Sequence, residues 1–368
     1  MNFEELEKYI KEQKQATIPE VQRKFSLKYG ETRQAFQKLQ NEGKIKLREG
    51  VTYEWCLPEP QRKTREEIEA LRDLFYKDGP LLESWLDQFE IIDDEEDEED
   101  RKREIVTLDS VMNTDEFKNS KGKLNFVVGR DPSGKAVIAD LATLPHMLVA
   151  GTTGSGKSCV LNSMIASMAR RYSPDYVKFL LADTKMVELS RFNGLPHLAT
   201  PEAITAKDDI LAAMDYLIEE MDRRYHVFIA SNVVNIEEYN RKSKDKLPYL
   251  VFVLDELSDV MLGNKRAFEI KLLRLAQKCR ASGIHIVLAT QRPDVSTVTG
   301  TVKASLPARI ALRVSNKYDS NTILGSGGAE NLTGCGDMLF ISMGSSDVQH
   351  VQGALVTSEE IKQARPLM

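Results

Sequence analysis

Six apolar runs along the chain are continuous rather than alternating: "HMLVA" from His146, "VKFLLAD" from Val177, "LVFVLDE" from Leu250, "IHIVLAT" from Ile284, "RIALRV" from Arg309 and "DMLFIS" from Asp337. A strand buried on one face only shows polar residues at every second place, so unbroken runs predict strands covered on both faces of a mostly parallel sheet. Segments such as "DDILAAMDYLIEEMDRRY" and "AFEIKLLRLAQKCRA" lie between the runs and read as helices. The alternation predicts an α/β fold with helices on both faces of the sheet, occupying residues 105–368.

The first sixty residues carry a different pattern. "FEELEKYIKEQ" places Phe3, Leu6 and Ile10 on one helix face. "TIPEVQRKFSL" follows with Thr17 as a helix N-cap and Pro19 in the first turn. "GETRQAFQKLQNEGKI" turns Ala35, Phe36 and Leu39 inward and ends on Gly43 as a C-cap. "KIKLREGVTYEWCL" reads as two short strands around Glu49-Gly50. Three helices and a hairpin predict a winged helix-turn-helix domain over residues 1–60. Between Glu20 and Arg48 eight Lys and Arg stand against three Glu, an excess of +5 on the surface that would meet DNA. A winged helix that docks protein is the alternative. Residues 61–104 read as a charged helical stretch running into an acidic linker, "DDEEDEED" from Asp93 to Asp100. Eight consecutive acids repel one another and resist burial, which predicts a solvated spacer, or else a tail that competes with DNA for a basic groove.

Composition narrows the class. With 42% hydrophobic and 29% charged residues the chain suits a globular protein. No apolar stretch approaches the roughly 18–20 residues that cross a bilayer, so no membrane segment is expected. The start, "MNFEELEKYIKEQKQ", is too polar for a signal peptide. Four scattered cysteines give neither a disulfide framework nor metal-ligand spacing, which points to a cytoplasmic address. The net charge of -6 misleads, because without the acidic run the remainder carries +2. A nucleic-acid partner is therefore not excluded.

The chemistry begins between the first apolar run and its following helix. Gly151, Thr152, Thr153, Gly154, Ser155, Gly156, Lys157 and Ser158 form a complete P-loop pattern between strand and helix. Glycines let backbone N–H groups curl round a phosphate, and the following helix points its positive end at the same charge. Lys157 would bridge the β- and γ-phosphates and Ser158 would ligate Mg²⁺. "LVFVLDE" delivers Asp255 to a strand end as an outer-sphere carboxylate for Mg²⁺, and Glu256 beside it to polarise the attacking water. "LATQRP" ends another strand with Gln291, which would sense the γ-phosphate or else satisfy loop backbone. Together these residues predict hydrolysis rather than mere binding.

"PHMLVAGTTGSGKS", "LLADTKMVELSRFNGLPHL", "MDRRY", "LPYLVFVLDELSDVM", "RLAQKCRASGIHIVLATQRPDVSTVTGTVKASLPARIALRVSNKYDSNTIL" and "GGAENLTGCGDMLF" resemble the motor domain of the FtsK/SpoIIIE family of double-stranded DNA translocases. "DEFKNSKGKLNFVVGRDPSGKAVIADLATLPH" resembles the end of that family's α subdomain. The resemblance implies a RecA-like ATPase, using ATP and Mg²⁺, that works as a homo-hexameric ring round duplex DNA. A ring would complete each site with a neighbour's arginine: Arg309 is the first candidate and Arg280 the second, with a structural ion pair as the alternative for either. Lys303 and Lys317, placed in polar loops by the late strands, would touch phosphates or simply be solvated. The N-terminal module resembles the family's winged-helix γ domain, but precedes the motor instead of following it. The family's recognition helix opens with Asn-Arg and carries a further Arg, where this chain has Gly30, Glu31 and Gln34. Glu31 repels phosphate and favours a cytosine amine, so the family's usual chromosome-orienting sequence is not the expected target. Lys28, Arg33 and Gln34 are the DNA-binding candidates there.

The expected function is thus an ATP-driven motor on duplex DNA, loaded or oriented by its winged helix. Two alternatives stand beside it: an ATP-dependent DNA-binding switch, and a conjugation or secretion coupling ATPase.

Overall fold

The computed structural model describes residues 9, 15–17, 45–48, 52–55, 61–64, 89–92, 105–342 and 347–364. The chain divides into two compact units, Met1–Glu104 and Ile105–Met368. In the first, β1 (Gln15–Thr17), β2 (Ile45–Arg48) and β3 (Thr52–Trp55) make an antiparallel sheet in the order β1-β3-β2. Ile45 faces Trp55 and Arg48 faces Thr52, which is the hairpin expected around Glu49-Gly50. The predicted N-terminal helices fall almost wholly outside the described residues, as do Lys28, Arg33 and Gln34. Of the stretch expected to be a charged helix and linker after residue 60, the described residues are two strands, β4 (Gln61–Thr64) and β5 (Phe89–Ile92), paired in parallel, and the rest of that expectation lies outside the described residues. Phe89, Ile91 and Ile92 are aromatic and β-branched, residues that favour a strand over a helix.

The second unit is built on one nine-stranded sheet. Its strands are β6 (Asn125–Arg130), β7 (Ala136–Asp140), β8 (His146–Ala150), β9 (Val177–Ala182), β10 (Tyr249–Leu254), β11 (Ile284–Thr290), β12 (Ala308–Leu312), β13 (Asp337–Ile341) and β14 (Val348–Gly353). Their order is β7-β6-β14-β13-β12-β8-β11-β10-β9. The block β12-β8-β11-β10-β9 is parallel throughout, whereas every pairing from β12 to β13 onward is antiparallel. All six apolar runs form strands. The lead-in hairpin β6–β7 joins the same sheet through β14.

Helices cover both faces, because alternate residues of the central strands point opposite ways. Met147, Val149, Val251, Val253, Val287 and Ala289 share one core with Val160, Leu161, Met164, Ile165 and Met168 of the helix Lys157–Arg171. Leu148, Ala150, Leu250, Phe252, Leu254, Ile286 and Leu288 share the other. Ile210, Met214, Leu217 and Met221 of the helix Lys207–Ala230 pack there, as do Phe268, Leu272 and Leu275 of the helix Leu257–Lys278. We name these helices α1, α2 and α3 in chain order. Burying a Leu, Val or Phe side chain stabilises by about 1.5–3 kcal/mol, so two filled faces fix the strand positions firmly. Helix α3 kinks at Leu262–Gly263, where Gly263 takes φ 96°, a left-handed conformation that side chains disfavour.

Candidate functional site: a phosphate-binding loop and a buried carboxylate pair

The loop 151–156 leaves the carboxyl end of β8 and enters α1 at Lys157. Its glycines serve close approach as well as turning. Gly156 sits at φ 103°, and a Cβ there would come within 2.4 Å of the Gly336 backbone nitrogen. Neighbouring strands pin the loop: Gly151 N–H donates to the Thr290 carbonyl at 3.2 Å, Thr152 N–H to the Arg313 carbonyl at 2.9 Å, and Gly336 N–H to the Ser155 carbonyl at 2.9 Å. A cleft of about 410 Å³ opens beside it, lined by Thr152–Ser155 on one side and by Arg313, Glu330 and Thr333–Cys335 on the other. The Ser155 hydroxyl is buried with no hydrogen-bond partner, an orphan that a phosphate oxygen would satisfy.

The carboxylates arrive from β10, two strands away from β8. Lys157 and Asp255 form an ion pair, 3% and 1% exposed, and the ammonium also donates to the Asp255 carbonyl at 2.7 Å. Burial pushes the Asp255 carboxyl up, against the pull of Lys157. Glu256, 2% exposed, accepts from Thr290 Oγ1 at 2.7 Å, Ser258 Oγ at 2.8 Å, Lys185 Nζ at 3.1 Å and the Gln291 N–H at 3.2 Å. Burial alone would raise its carboxyl, yet the hydrogen bonds from Thr290, Ser258 and Lys185 and the Lys185 charge hold it below its ordinary value. Glu256 is therefore an anion at neutral pH. Gln291 reaches the P-loop, its Oε1 accepting from Thr153 Oγ1 at 2.8 Å.

Lys157, Asp255, Glu256, Gln291 and the P-loop thus meet at the carboxyl end of the parallel strands, where ligands bind in open α/β sheets. Ser158 lies half-buried in the first turn of α1. An alcohol and a carboxylate are the hard oxygen donors Mg²⁺ takes, and the set fits it. Among the described residues no group of three or more His, Cys, Asp and Glu could hold a metal by itself, so such an ion would depend on phosphate oxygens.

Other candidates sit elsewhere. Arg309 lies on β12 with its guanidinium donating to the carbonyls of Lys303 at 3.2 Å, Leu306 at 3.4 Å and Ile323 at 3.1 Å. That is the setting of a structural cation within its own chain. Lys303 and Lys317 are helical rather than in loops: Lys303 belongs to the helix Gly300–Ser305 and Lys317 opens the helix Lys317–Leu324, capped by Thr299 and Asn316 respectively. Arg280 is exposed just beyond α3.

Sequence reasoning passed over Lys185, Thr290 and Arg313. Lys185 follows β9 in "FLLADTK", an apolar strand ending in an acid, the same grammar that marks Asp255. Asp183, fully buried, accepts the N–H groups of Lys185, Val187, Glu188 and Leu189, which shapes the turn that brings Lys185 to Glu256. Arg224 of "MDRRY", 1% exposed, bonds Glu220 and the Ser282 carbonyl and is structural.

A P-loop after β8 and a carboxylate pair after β10, with one strand between them carrying a polar residue at its end, define a P-loop ATPase. The family model described as FtsK/SpoIIIE matches residues 107–295, and the chain belongs to that family. It is 46% identical over 262 residues to the DNA translocase FtsK of Clostridium tetani, covering 70% of this chain and 35% of that protein. To the DNA translocase FtsK of Haemophilus influenzae it is 44% identical over 286 residues, covering 70% and 54%. The chain thus spans about a third to a half of the length of these relatives. Among solved structures, the pCW3 conjugation coupling protein TcpA, a monomer form with ATPgS, matches with TM-score 0.60 and 26% identity over 71% of this chain and 73% of that one. The cytoplasmic domain of the Thermomonospora curvata type VII secretion ATPase EccC shares the fold, with TM-score 0.62 and 23% identity over 72% and 35%. Among the described residues no helix is long and apolar enough to cross a membrane.

Proposed function

We propose that the chain hydrolyses ATP to move double-stranded DNA, working as a hexameric ring that the N-terminal module loads or orients. The observation that carries this reading is the convergence of Lys157, Asp255, Glu256 and Gln291 beside one P-loop, with Glu256 held ionised. The loop N–H groups and the Ser155 hydroxyl take phosphate oxygens. Lys157, tied here to Asp255, turns its charge to the β- and γ-phosphates when nucleotide arrives. Ser158, with Asp255 through water, would hold Mg²⁺, which offsets charge building on the phosphates. Glu256 orients a water and accepts its proton. Gln291 has its amide oxygen taken by Thr153, leaving its NH₂ to donate to the transferred phosphoryl group.

In the ring a neighbour's arginine completes the site. Arg309 can serve only by exchanging its own-chain carbonyls for phosphate, so subunit contact must rearrange the ends of the two short helices it caps. Lys303 and Lys317 contribute sequence-blind phosphate contacts, and Lys28, Arg33 and Gln34 contact DNA from the N-terminal module. The test is ATP hydrolysis with and without duplex DNA, in the wild type and in Lys157→Ala. Stimulation by DNA that vanishes in the variant is expected, and equal wild-type rates with and without DNA would overturn the reading. The likeness to a conjugation coupling protein favours a second reading, an ATPase that hands a bound strand to a transfer channel. Displacement of a triplex strand from duplex DNA separates them, since only a duplex motor strips it.

A further inference from the structure

Glu256 is the base of the proposed reaction, yet every acceptor site on its carboxylate is taken. Oε1 accepts from the Thr290 hydroxyl at 2.7 Å, the Ser258 hydroxyl at 2.8 Å and the Gln291 N–H at 3.2 Å. Oε2 accepts from the Lys185 ammonium at 3.1 Å and shares the Gln291 N–H at 3.2 Å. An ionised carboxylate offers about four lone-pair sites, and these five contacts fill them. The residue is also 2% exposed, so water is kept from it. A general base must come within hydrogen-bond reach of the proton it takes. One donor therefore has to leave before Glu256 can act.

The donors are not equally free to go. Gln291 donates from the main chain and moves only with the end of β11. Thr290 Oγ1 is committed twice, since it also accepts the Arg292 N–H at 3.0 Å. Lys185 sits on the other oxygen. Ser258 is a half-buried hydroxyl in the first turn of α3, and its side chain makes no other hydrogen bond among the described residues. Rotation about one side-chain bond releases the carboxylate and offers the hydroxyl to water instead. The turn itself is held, because Asp259 accepts from Thr184 Oγ1 at 2.6 Å. Gln291 joins this arrangement to the nucleotide site. Its N–H holds Glu256 while its side-chain oxygen accepts from Thr153 Oγ1 of the P-loop at 2.8 Å, so a phosphate that engages Thr153 pulls on the residue that grips the carboxylate.

We propose that this is a resting state in which Ser258 is a positioning residue: its hydroxyl latches the Glu256 carboxylate away from water, and hydrolysis waits until that bond opens. Once free, Oε1 takes the proton of a water whose oxygen bonds to the γ-phosphorus. The bond from that phosphorus to the bridging oxygen breaks, and its electron pair leaves with ADP. The latch rests on Glu256 being the base, and on neither DNA, a ring nor the N-terminal module.

The test is single-turnover ATP hydrolysis by the full chain at pH 8, at saturating nucleotide and without DNA. Ser258→Ala is expected to raise the rate by about three- to tenfold, the net worth of one hydrogen bond. Ser258→Thr keeps a hydroxyl and should return the rate toward the wild-type value. The Ser258 bond also helps to hold the Glu256 carboxyl down. In Ser258→Ala the acid limb of the rate against pH should accordingly move to higher pH while the plateau rises, whereas damage to the fold would lower the plateau. A rate in Ser258→Ala that is unchanged or lower overturns the latch. Glu256→Gln, alone and combined with Ser258→Ala, keeps the two claims apart. Loss of hydrolysis in Glu256→Gln with no gain in Ser258→Ala leaves the base standing and removes the latch alone. Hydrolysis that survives Glu256→Gln removes the base, and the latch with it.

Discussion

At the carboxyl ends of the parallel strands the protein buries Lys157, Asp255 and Glu256 beside one another, whereas at the amino ends, the structural Arg224–Glu220 pair apart, it buries histidine, cysteine and tyrosine in their neutral forms. Lys157, Asp255 and Glu256 are at most 3% exposed and face one another or hydrogen-bond donors. At the other edge burial pushes His146 down to about 3 and His285 to about 4, while Cys279 and Tyr249 are pushed up by the same cause. Their protons stay where a neutral ring, thiol or phenol wants them. Taking an ion pair out of water costs more than its mutual attraction often returns, and apolar residues of similar size would stabilise the fold as well or better. Under the proposed function, Lys157, Asp255 and Glu256 are kept at that cost for a nucleotide. The neutral end fills the core.

The sharpest break of this contrast is Lys157→Ala. Removing the P-loop ammonium is expected to lower turnover by about 10²–10³-fold or more, read as steady-state ATP hydrolysis. It also strands Asp255, whose carboxyl burial already raises. That acid would take up a proton rather than stay charged, so the folded state holds a proton the unfolded chain releases. Stability of the variant should then fall as pH rises above the ordinary carboxylate value, and by more than in the wild type, where Lys157 offsets part of the rise. Adding Asp255→Asn should remove the pH dependence in denaturant titrations without restoring hydrolysis. A single variant as stable at pH 8 as at pH 5 would mean that the pair carries no energetic weight.

Next comes Glu256→Gln. The amide keeps the size of the carboxylate but cannot accept a proton, so turnover should drop by about 10²–10⁴-fold while nucleotide affinity stays near wild type. Fluorescent-nucleotide binding beside single-turnover hydrolysis reads both. Equal losses in the two would place Glu256 in binding.

How much of this was legible in the amino acids follows from what is local. The P-loop, Asp255-Glu256 and Gln291 were readable because each is a few residues at the end of an apolar run, and the runs themselves were readable as strands. An unbroken run reports burial on both faces and says nothing about a neighbour's direction, so the antiparallel β13 and β14, and the entry of β6 and β7 into the same sheet, were not. Thr290 and Lys185 were missed because their roles depend on β9 and β11 flanking β10, which only the folded order supplies. For Arg309 the sequence offers only an arginine on a late strand; its three carbonyl partners come from two separate helix ends, which only the folded chain brings together. The hairpin of the first unit was legible from Glu49-Gly50 and the strands around it. The parallel pair formed by Gln61–Thr64 and Phe89–Ile92 was hidden among charged residues.

The neutral edge predicts acid sensitivity. His146 and His285 have folded values below the unfolded 6.5, so the unfolded chain binds more protons between those limits. Their contribution is fully present above about pH 6.5 and is lost as pH falls toward 4, at about 1.4 kcal/mol for each ring and each pH unit between its unfolded and folded values. Denaturant midpoints measured from pH 7 to 4 should fall steeply, and His285→Gln should flatten the slope. A slope unchanged by that substitution would move the acid sensitivity to the carboxylates.

The smallest effect expected is also the finest test of the charged edge. Lys185 donates to Glu256 Oε2 at 3.1 Å and is 43% exposed, so solvent screens much of its charge. Lys185→Met keeps the aliphatic stem and removes the ammonium, leaving Thr290 and Ser258 still bonded to the carboxylate. Burial then weighs more heavily against the anion, and the Glu256 carboxyl rises. Hydrolysis needs the ionised form, so the acid limb of the rate against pH should move to higher pH, by about one pH unit or less. At pH 8 the rate should change little, since Glu256 is ionised in both proteins. An arginine at 185 should return the limb toward its original position, which a merely structural lysine would not require. Were the limb to stay fixed while the rate fell equally at every pH, Lys185 would act on the substrate and not on the carboxylate beside it.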